Sequence, residues 1–449
     1  MSGRYRKKSI PPGFMVCNRA YRYRAYPTDG QRIMIRKTSG CCRKVYNLMK
    51  DANDRKYGDT GQWDSHTPAE YKEAFPYLKE VDSTALANTQ LDLENAYTNH
   101  SKNPLHFGLP NFRAKHFSKV SYTSSAVRYK VKNKDDKGNE TISEKANIEL
   151  SGNYLRLQKL GWLKLRMHRQ LPQGAAIKSV TITEESSGAV YVSILVEMIE
   201  KEKKDFYGRI DDMAESAKTK KTKPVRVLRA VGLDYSSPHF YVASDGYIAD
   251  MPHWYRISEN RLSQLQSKLS KKVKGSKNYQ KLKRKIAKLQ EHIKAQRRDW
   301  QEKEATRLVS FYDIVCVEDI NYQGMAQSLK LGKSTNDNAF GQFLSILERK
   351  LFDKGGILIR IGKWEPTTKL CKCGYVNPDV KLGMNMIVCP VCHRTYDRDR
   401  NASDNILNAG LKILHETLRN RGTRGVRLLI VRDNYPDQST GSSLLLDVG

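Results

Sequence analysis

The sequence predicts an α+β protein of several domains. Three observations carry this. A chain of 449 residues exceeds what one hydrophobic core ordinarily organises. Between residues 147 and 196, short alternating stretches parted by turn residues read as a β-rich section. From Val225 onward, buried apolar strands alternate with long amphipathic helices, and two close cysteine pairs interrupt them.

Composition narrows the class. Lys and Arg number 79 against 48 Asp and Glu, a net charge of +31. A surface this basic seeks a polyanion, and nucleic acid is the polyanion expected. Of the eight cysteines, Cys17, Cys41, Cys42 and Cys316 are scattered and four are paired, which predicts reduced thiols with one metal site, not a disulfide framework. The opening residues MSGRYRKKSIPPG hold no apolar segment, so neither a secretory signal nor an anchor is expected. No run approaches bilayer length, and an intracellular, cytoplasmic setting is the expectation.

In chain order, residues 1–13 read as a solvated basic tail. Tyr21 to Pro27 alternates aromatic and basic residues as a half-exposed strand does. Ile33, Ile35, Val45, Leu48 and Met49 then fall on one helical face, and Leu78, Leu86, Leu91 and Leu93 continue a helical region to about 105. The strands expected over Asn147–Leu157, Trp162–Met167, Ile177–Thr183 and Ala189–Val196 fit a small barrel of the oligonucleotide-binding kind. Residues 200–225, rich in Lys, Asp and Glu, read as a linker or exposed loop.

Arg226–Asp234 is an apolar strand ending in a carboxylate, and Phe240–Ile248 forms a hairpin around Ser244, Asp245 and Gly246. That is how the ribonuclease-H-like fold begins. Residues 258–309 read as two helices broken at Lys274–Ser276, with Leu262, Leu265, Leu269, Leu282, Ile286, Leu289 and Ile293 as the apolar stripes and Lys and Arg on the other faces. Tyr312–Ile320 is a buried strand carrying Glu318, Phe343–Phe352 a helix, and Ile357–Ile361 another strand. A last helix runs from Asp399 to about Leu418, and beyond Arg421 the chain reads as a poorly ordered tail with one apolar run at Leu428–Val431.

Two sets of residues carry chemistry. Cys371/Cys373 and Cys389/Cys392 face each other across fifteen residues, a zinc-ribbon layout offering four thiolates to one tetrahedral Zn²⁺. Asp234, Glu318 and Asp399 lie on separate, well-patterned elements. A ribonuclease-H-like nuclease needs such carboxylates to converge on two Mg²⁺ ions, roughly 3.5–4 Å apart, for in-line phosphodiester hydrolysis. Asp234 is the expected bridging ligand, with Glu318 and Asp399 on either side. Taken singly, Asp399 reads equally well as a helix cap and Glu318 as an ion-pair partner, and Asp319, Asp397 and Asp404 are neighbouring alternatives.

The stretches AYPTDGQRIMIRKTSGCCRKVYNLM, GLDYSS, VEDINYQGM and DRDRNASDNI, with the cysteine pairs between the last two, resemble the TnpB family of transposon-encoded RNA-guided nucleases, from which the miniature type V CRISPR effectors descend. The likeness runs from about Tyr21 to Leu414. It implies a basic tail and first wedge strand over 1–30, a helical recognition domain over 31–105 and a β-barrel wedge over 106–224. It further implies a RuvC-like nuclease in two parts, 225–365 and 397–420, around a zinc-ribbon target-nucleic-acid-binding insert at 366–396, with a tail at 421–449. The implied activity is Mg²⁺-dependent DNA cleavage in one RuvC-like site, with guide RNA and double-stranded target DNA as partners, a short adjacent motif read by the N-terminal lobe, and a monomer favoured. The alternatives are a guide-dependent DNA-binding protein or repressor without cleavage, and an unguided RuvC-type nuclease. Two departures stand out. Ser236 occupies a position where the family usually has Gly, and the first zinc pair is Cys-x-Cys, one residue short, which leaves His393 as a possible substitute ligand.

Overall fold

The computed structural model describes residues 10–115, 119–134, 140–220, 224–320, 337–363, 365–381, 383–423, 426–432 and 442–448. Residues 1–9 of the expected tail and the Asn321–Met325 end of the VEDINYQGM motif lie outside them. The chain divides into two compact units between Glu202 and Lys203.

The first unit opens with strand β1 (Phe14–Tyr26) and helix α1 (Asp29–Thr60). Thr28 and Gln31 close a reciprocal capping box, Thr28 Oγ1 accepting from the Gln31 N–H and Gln31 Oε1 from the Thr28 N–H. Helix α2 (Ser83–Lys102) and the strands β2 (Val120–Ser125), β3 (Arg128–Lys134), β4 (Glu140–Ala146), β5 (Glu149–Ser151), β6 (Tyr154–Leu157), β7 (Gly161–Arg166), β8 (Ala176–Glu184) and β9 (Val190–Lys201) follow. Seven of them form one antiparallel sheet in the order β2-β8-β9-β1-β7-β6-β5, and β3 pairs β4. Strict alternation in β9 drives Val192, Ile194 and Val196 inward, as period-2 geometry requires. They share a single core with Tyr23, with Ile35, Val45 and Met49 of α1 and with Leu86 and Leu93 of α2. The helices at 31–105 and the strands at 106–201 are thus packed as one body.

The second unit begins where a linker was expected. Residues Phe206–Lys220 form helix α3, whose Phe206, Ile210 and Ala214 are buried at i, i+4, i+8. Charged neighbours hide that narrow stripe in the sequence. Strands β10 (Val225–Tyr235), β11 (Tyr241–Ala243), β12 (Ile248–Ala249), β13 (Ile314–Glu318) and β14 (Ile357–Ile361) build a sheet in the order β12-β11-β10-β13-β14. The first three are antiparallel and the last three parallel. This is the ribonuclease-H-like order. The helices are α4 (Trp254–Ser270), α5 (Lys277–Phe311), α6 (Phe340–Lys354) and α7 (Arg398–Asn420), and hairpin β15 (Met386–Val388)–β16 (Thr395–Asp397) lies ahead of α7. In α5 the Lys281, Lys283, Arg284, Lys285 and Lys288 side chains are exposed, as the charged face predicts.

The sheet is covered on both sides. Leu228, Ala230, Ile314, Cys316 and Ile359 face α3 and α7, while Val231, Leu233, Val315 and Val317 face α5 and α6. The tail beyond Arg421 is a second correction. Strand β17 (Val426–Arg432) pairs parallel with the first half of β10 and antiparallel with β18 (Ser442–Val448). Val426, Leu428 and Ile430 are buried in the α3/α7 core, so burial orders a segment whose surroundings are polar.

Two glycines set how closely α7 approaches the sheet. A Cβ on Gly232 would lie 2.2 Å from the Ser403 carbonyl oxygen and 2.8 Å from the Leu407 nitrogen. A Cβ on Gly410 would lie 2.3 Å from Cys316 Sγ. Gly232→Ala must therefore lift the helix off the strand. We expect a loss of about 2 kcal/mol or more, within the range for overpacked cores. Thermal denaturation gives the check, and an unchanged Tm would contradict the close approach.

Candidate active site

Three elements bring the acids together. Leu233 pairs with Val317 across the parallel β10–β13 ladder, so the next residues, Asp234 and Glu318, stand side by side at the ends of strands whose usual spacing is roughly 4.8 Å. Leu233 and Val317 point toward α5 and α6, so by alternation Asp234 and Glu318 point to the α7 side. Helix α7 is held over β10 and β13 by the Gly232 and Gly410 contacts, and its leucine stripe, Leu407, Leu411, Leu414 and Leu418, is fully buried. Asp399 lies in its first turn.

All three carboxylates are half-buried. Burial pushes the Asp234 carboxyl well above the usual carboxylate range, and the charges of Glu318 and Asp399 push it further, while Arg398 pulls it back. Asp399 accepts from Arg398 Nε at 2.8 Å and from Arg398 Nη2 at 2.7 Å. The neighbouring acids are engaged elsewhere. Asp397, not Asp399, is the cap of α7, its side chain accepting from the Arg400 N–H at 2.8 Å. Asp404 pairs with Lys372 at 3.1 Å, and Asp319 with Lys363 at 3.7 Å. Ser236 needs no left-handed backbone, and its N–H donates to the Phe240 carbonyl within the hairpin.

The four ribbon cysteines converge. Their sulfurs all lie within 4.8 Å of one another, with Cys371–Cys392 at 3.6 Å and Cys373–Cys389 at 3.7 Å. Four ligands at about 2.3 Å on a tetrahedral zinc stand about 3.8 Å apart, so this cluster fits a structural zinc. The short Cys-x-Cys turn is made possible by Gly374 at φ 89°, whose N–H donates to the Cys371 carbonyl. Backbone N–H groups of Cys392 and Val391 aimed at Cys389 draw its thiol down to about 6, whereas burial pushes the Cys371 thiol up, so one thiolate of the cluster is favoured before any metal binds. His393 is outside the cluster. It is exposed, at φ 58°, with its backbone N–H bonded to the Cys389 carbonyl.

Val380, Ile387 and Tyr396 make up almost the ribbon's whole apolar core, so small that the ribbon is expected to need a bound metal to fold. We expect one zinc per chain by native mass spectrometry and none in Cys389→Ser. A Cys371→Ser chain that keeps its zinc would defeat the four-cysteine assignment.

Sequence reasoning missed several residues around the acids. Thr367 Oγ1 donates to Glu318 Oε1. Asn401 Nδ2 donates to the Leu370 carbonyl at 2.7 Å, and Asn405 Nδ2 to the Thr367 and Leu370 carbonyls at 2.8 and 2.7 Å. The i, i+4 spacing of the two asparagines on α7 was the available signal.

Sheet order, helix placement and the inserted ribbon define a RuvC-like nuclease fold. Family models add to this. One described as "Probable transposase" matches residues 196–329, and one described as "Cas12f1-like, TNB domain" matches 340–406. A third, described as "Helix-turn-helix domain", matches 15–62, which here is strand β1 followed by the single helix α1. A Streptomyces pristinaespiralis protein named "Putative RNA-guided DNA endonuclease" is 30% identical over 401 residues, covering 88% of this chain and 89% of its own. An Escherichia coli (strain K12) protein of the same description, InsQ, is 26% identical over 421 residues, covering 88% and 93%. The chain belongs to this TnpB family of RNA-guided DNA endonucleases. A Cas12f1–sgRNA–target DNA complex is a looser structural likeness, with a TM-score of 0.48 and 12% identity over 88% of this chain and 99% of that one.

Proposed function

We propose that this protein is an RNA-guided DNA endonuclease that cleaves target DNA in a single RuvC-like site formed by Asp234, Glu318 and Asp399. What supports the reading is the placement of the three acids, Asp234 and Glu318 at adjacent strand ends and Asp399 in the first turn of α7, near enough that the charges of Glu318 and Asp399 act on the Asp234 carboxyl, with Arg398 bonded to Asp399. Such an excess of negative charge calls for divalent cations, and the hard oxygen donors suit Mg²⁺. Two such ions, when bound, would activate the attacking water and stabilise the leaving oxygen. Asp234, on which the charges of both other acids act, is the candidate bridging ligand. The dipole at the α7 N-terminus and Arg398 steady Asp399.

The other parts take complementary roles in this reading. The exposed Lys and Arg of α5 would hold phosphates of any sequence. Guide pairing would select the target, and the N-terminal unit would read a short duplex motif beside it. To examine this, RNA that co-purifies with the protein is sequenced and its guide portion replaced. Duplex DNA matching the new guide should be cut and unmatched DNA spared. Cleavage indifferent to the guide would favour an unguided nuclease, and guide-dependent binding without cleavage a repressor.

A further inference from the structure

Thr367 sits where the zinc ribbon meets the acid cluster, and the nuclease chemistry described above does not use it. It is 4% exposed. Its β-branched side chain has few rotamers available in such a site, so its hydroxyl is a fixed donor. That hydroxyl is bonded to Glu318 Oε1. The backbone of Thr367 is itself held: its N–H donates to the Glu365 carbonyl at 2.8 Å, and its carbonyl accepts from Asn405 at 2.8 Å. Three residues on, the Leu370 carbonyl accepts from both Asn401 and Asn405, and Leu370 pairs with Val376 across the first cysteine turn. Cys371 follows directly. A continuous set of contacts therefore runs from the ribbon cysteine Cys371, along the backbone to Leu370, through Asn405 of α7 to Thr367, and on to one oxygen of Glu318, with Asn401 bracing the Leu370 carbonyl.

A glutamate ligand has a soft terminal torsion, and left alone it would sample many orientations at the edge of a half-exposed site. Tying Oε1 to a rigid hydroxyl leaves Oε2 to face an ion in one orientation. We propose that Thr367 is a positioning residue for Glu318, and that the zinc ribbon, by fixing Thr367, sets the affinity of the nuclease site for its divalent ion. This rests on the reading of Glu318 as a metal ligand. Partners of this kind change metal affinity or activity by about 10–100-fold when removed.

The experiment is an Mn²⁺ titration, followed by electron paramagnetic resonance, on the zinc-loaded full chain with its RNA. Wild type, Thr367→Val, Thr367→Ser and Glu318→Gln are compared, with zinc per chain measured by native mass spectrometry. Thr367→Val should bind Mn²⁺ at least about tenfold more weakly. Its cleavage should need correspondingly more Mn²⁺, yet approach the wild-type rate at saturation. Thr367→Ser, which keeps the donor, should bind within a few-fold of wild type. If Glu318→Gln weakens Mn²⁺ binding but Thr367→Val does not, the positioning role is overturned and the nuclease reading stands. Wild-type Mn²⁺ affinity in Glu318→Gln would overturn both. Should Thr367→Val shed its zinc, the serine variant decides. Serine that regains zinc and Mn²⁺ affinity together supports the coupling, and serine that regains zinc alone overturns it.

Discussion

Asp234→Ala, Glu318→Ala and Asp399→Ala should each lower the rate of target cleavage by at least roughly a thousandfold, about 4 kcal/mol of barrier, while guide-dependent target binding survives. Each change removes one carboxylate from the strand-end cluster and little else from the fold, because none of the three is a cap or a core residue. A full-rate Asp399→Ala enzyme would shift the third role to Asp397 or Asp404, both of which must then leave their present partners. The same cluster makes a stability prediction with opposite sign. The Asp234 carboxyl is held high by burial, then by Glu318 and Asp399. The native chain therefore keeps a proton there that the unfolded chain gives up. Metal-free stability from this group is complete below the unfolded value, near 3.9, and is lost as pH rises through the elevated native value. At neutral pH the metal-free Asp234→Asn variant should accordingly melt above wild type, by roughly 2–4 °C for each kcal/mol of repulsion relieved. Added Mg²⁺ should narrow the gap by stabilising wild type. A metal-free variant melting below wild type would mean that the repulsion is offset in the native chain.

Protein stripped of RNA should fail to cut duplex DNA at any defined position, an all-or-none effect on a sequencing gel. Among the described residues the positive charge lies along surfaces such as the exposed face of α5 and is not gathered on one short groove-reading helix. Such a surface binds backbones of any sequence, and its grip falls steeply with salt. The metal site is a ribbon leading into the helix that carries Asp399, unlike a ββα finger that reads base edges. Sequence choice then falls to base pairing. Site-specific cutting by RNA-free protein, at any salt concentration, would defeat the proposal.

Legibility from sequence followed the kind of interaction. The places of Asp234 and Glu318 were readable because each ends an apolar strand, and that of Asp399 because a leucine-periodic helix follows it; their joint role at a nuclease site is the proposal. The helical pair α4–α5 was visible in its stripes and in the break at Lys274–Ser276. Helix α3 was hidden because three small buried contacts among charged residues look like a solvated linker. Strand β17 was hidden because a short apolar run acquires meaning only when β10 is beside it. Thr367 left no trace, and the i, i+4 pair Asn401 and Asn405 showed a shared helix face but not its partners, since their bonds join segments that sequence order keeps apart. The Cys-x-Cys spacing looked one residue short until the left-handed Gly374 showed how the turn closes.

The partnership of β17 with the first half of β10 has a bearing on how the protein is made. Residues 225–229 leave the ribosome long before residues 427–431, to which they are zipped in the finished sheet. At about 5–20 residues per second, the wait is on the order of ten seconds or more. The N-terminal unit is complete by Glu202 and can fold during that interval, whereas the nascent β10 must hold an open hydrogen-bonding edge. An open strand reading Val-Arg-Val-Leu-Arg still offers an unpaired backbone edge to other nascent chains, with its two arginines opposing that pairing. Slow translation of the last segment, or a stop codon ahead of it, would therefore be felt first as aggregation in the cell.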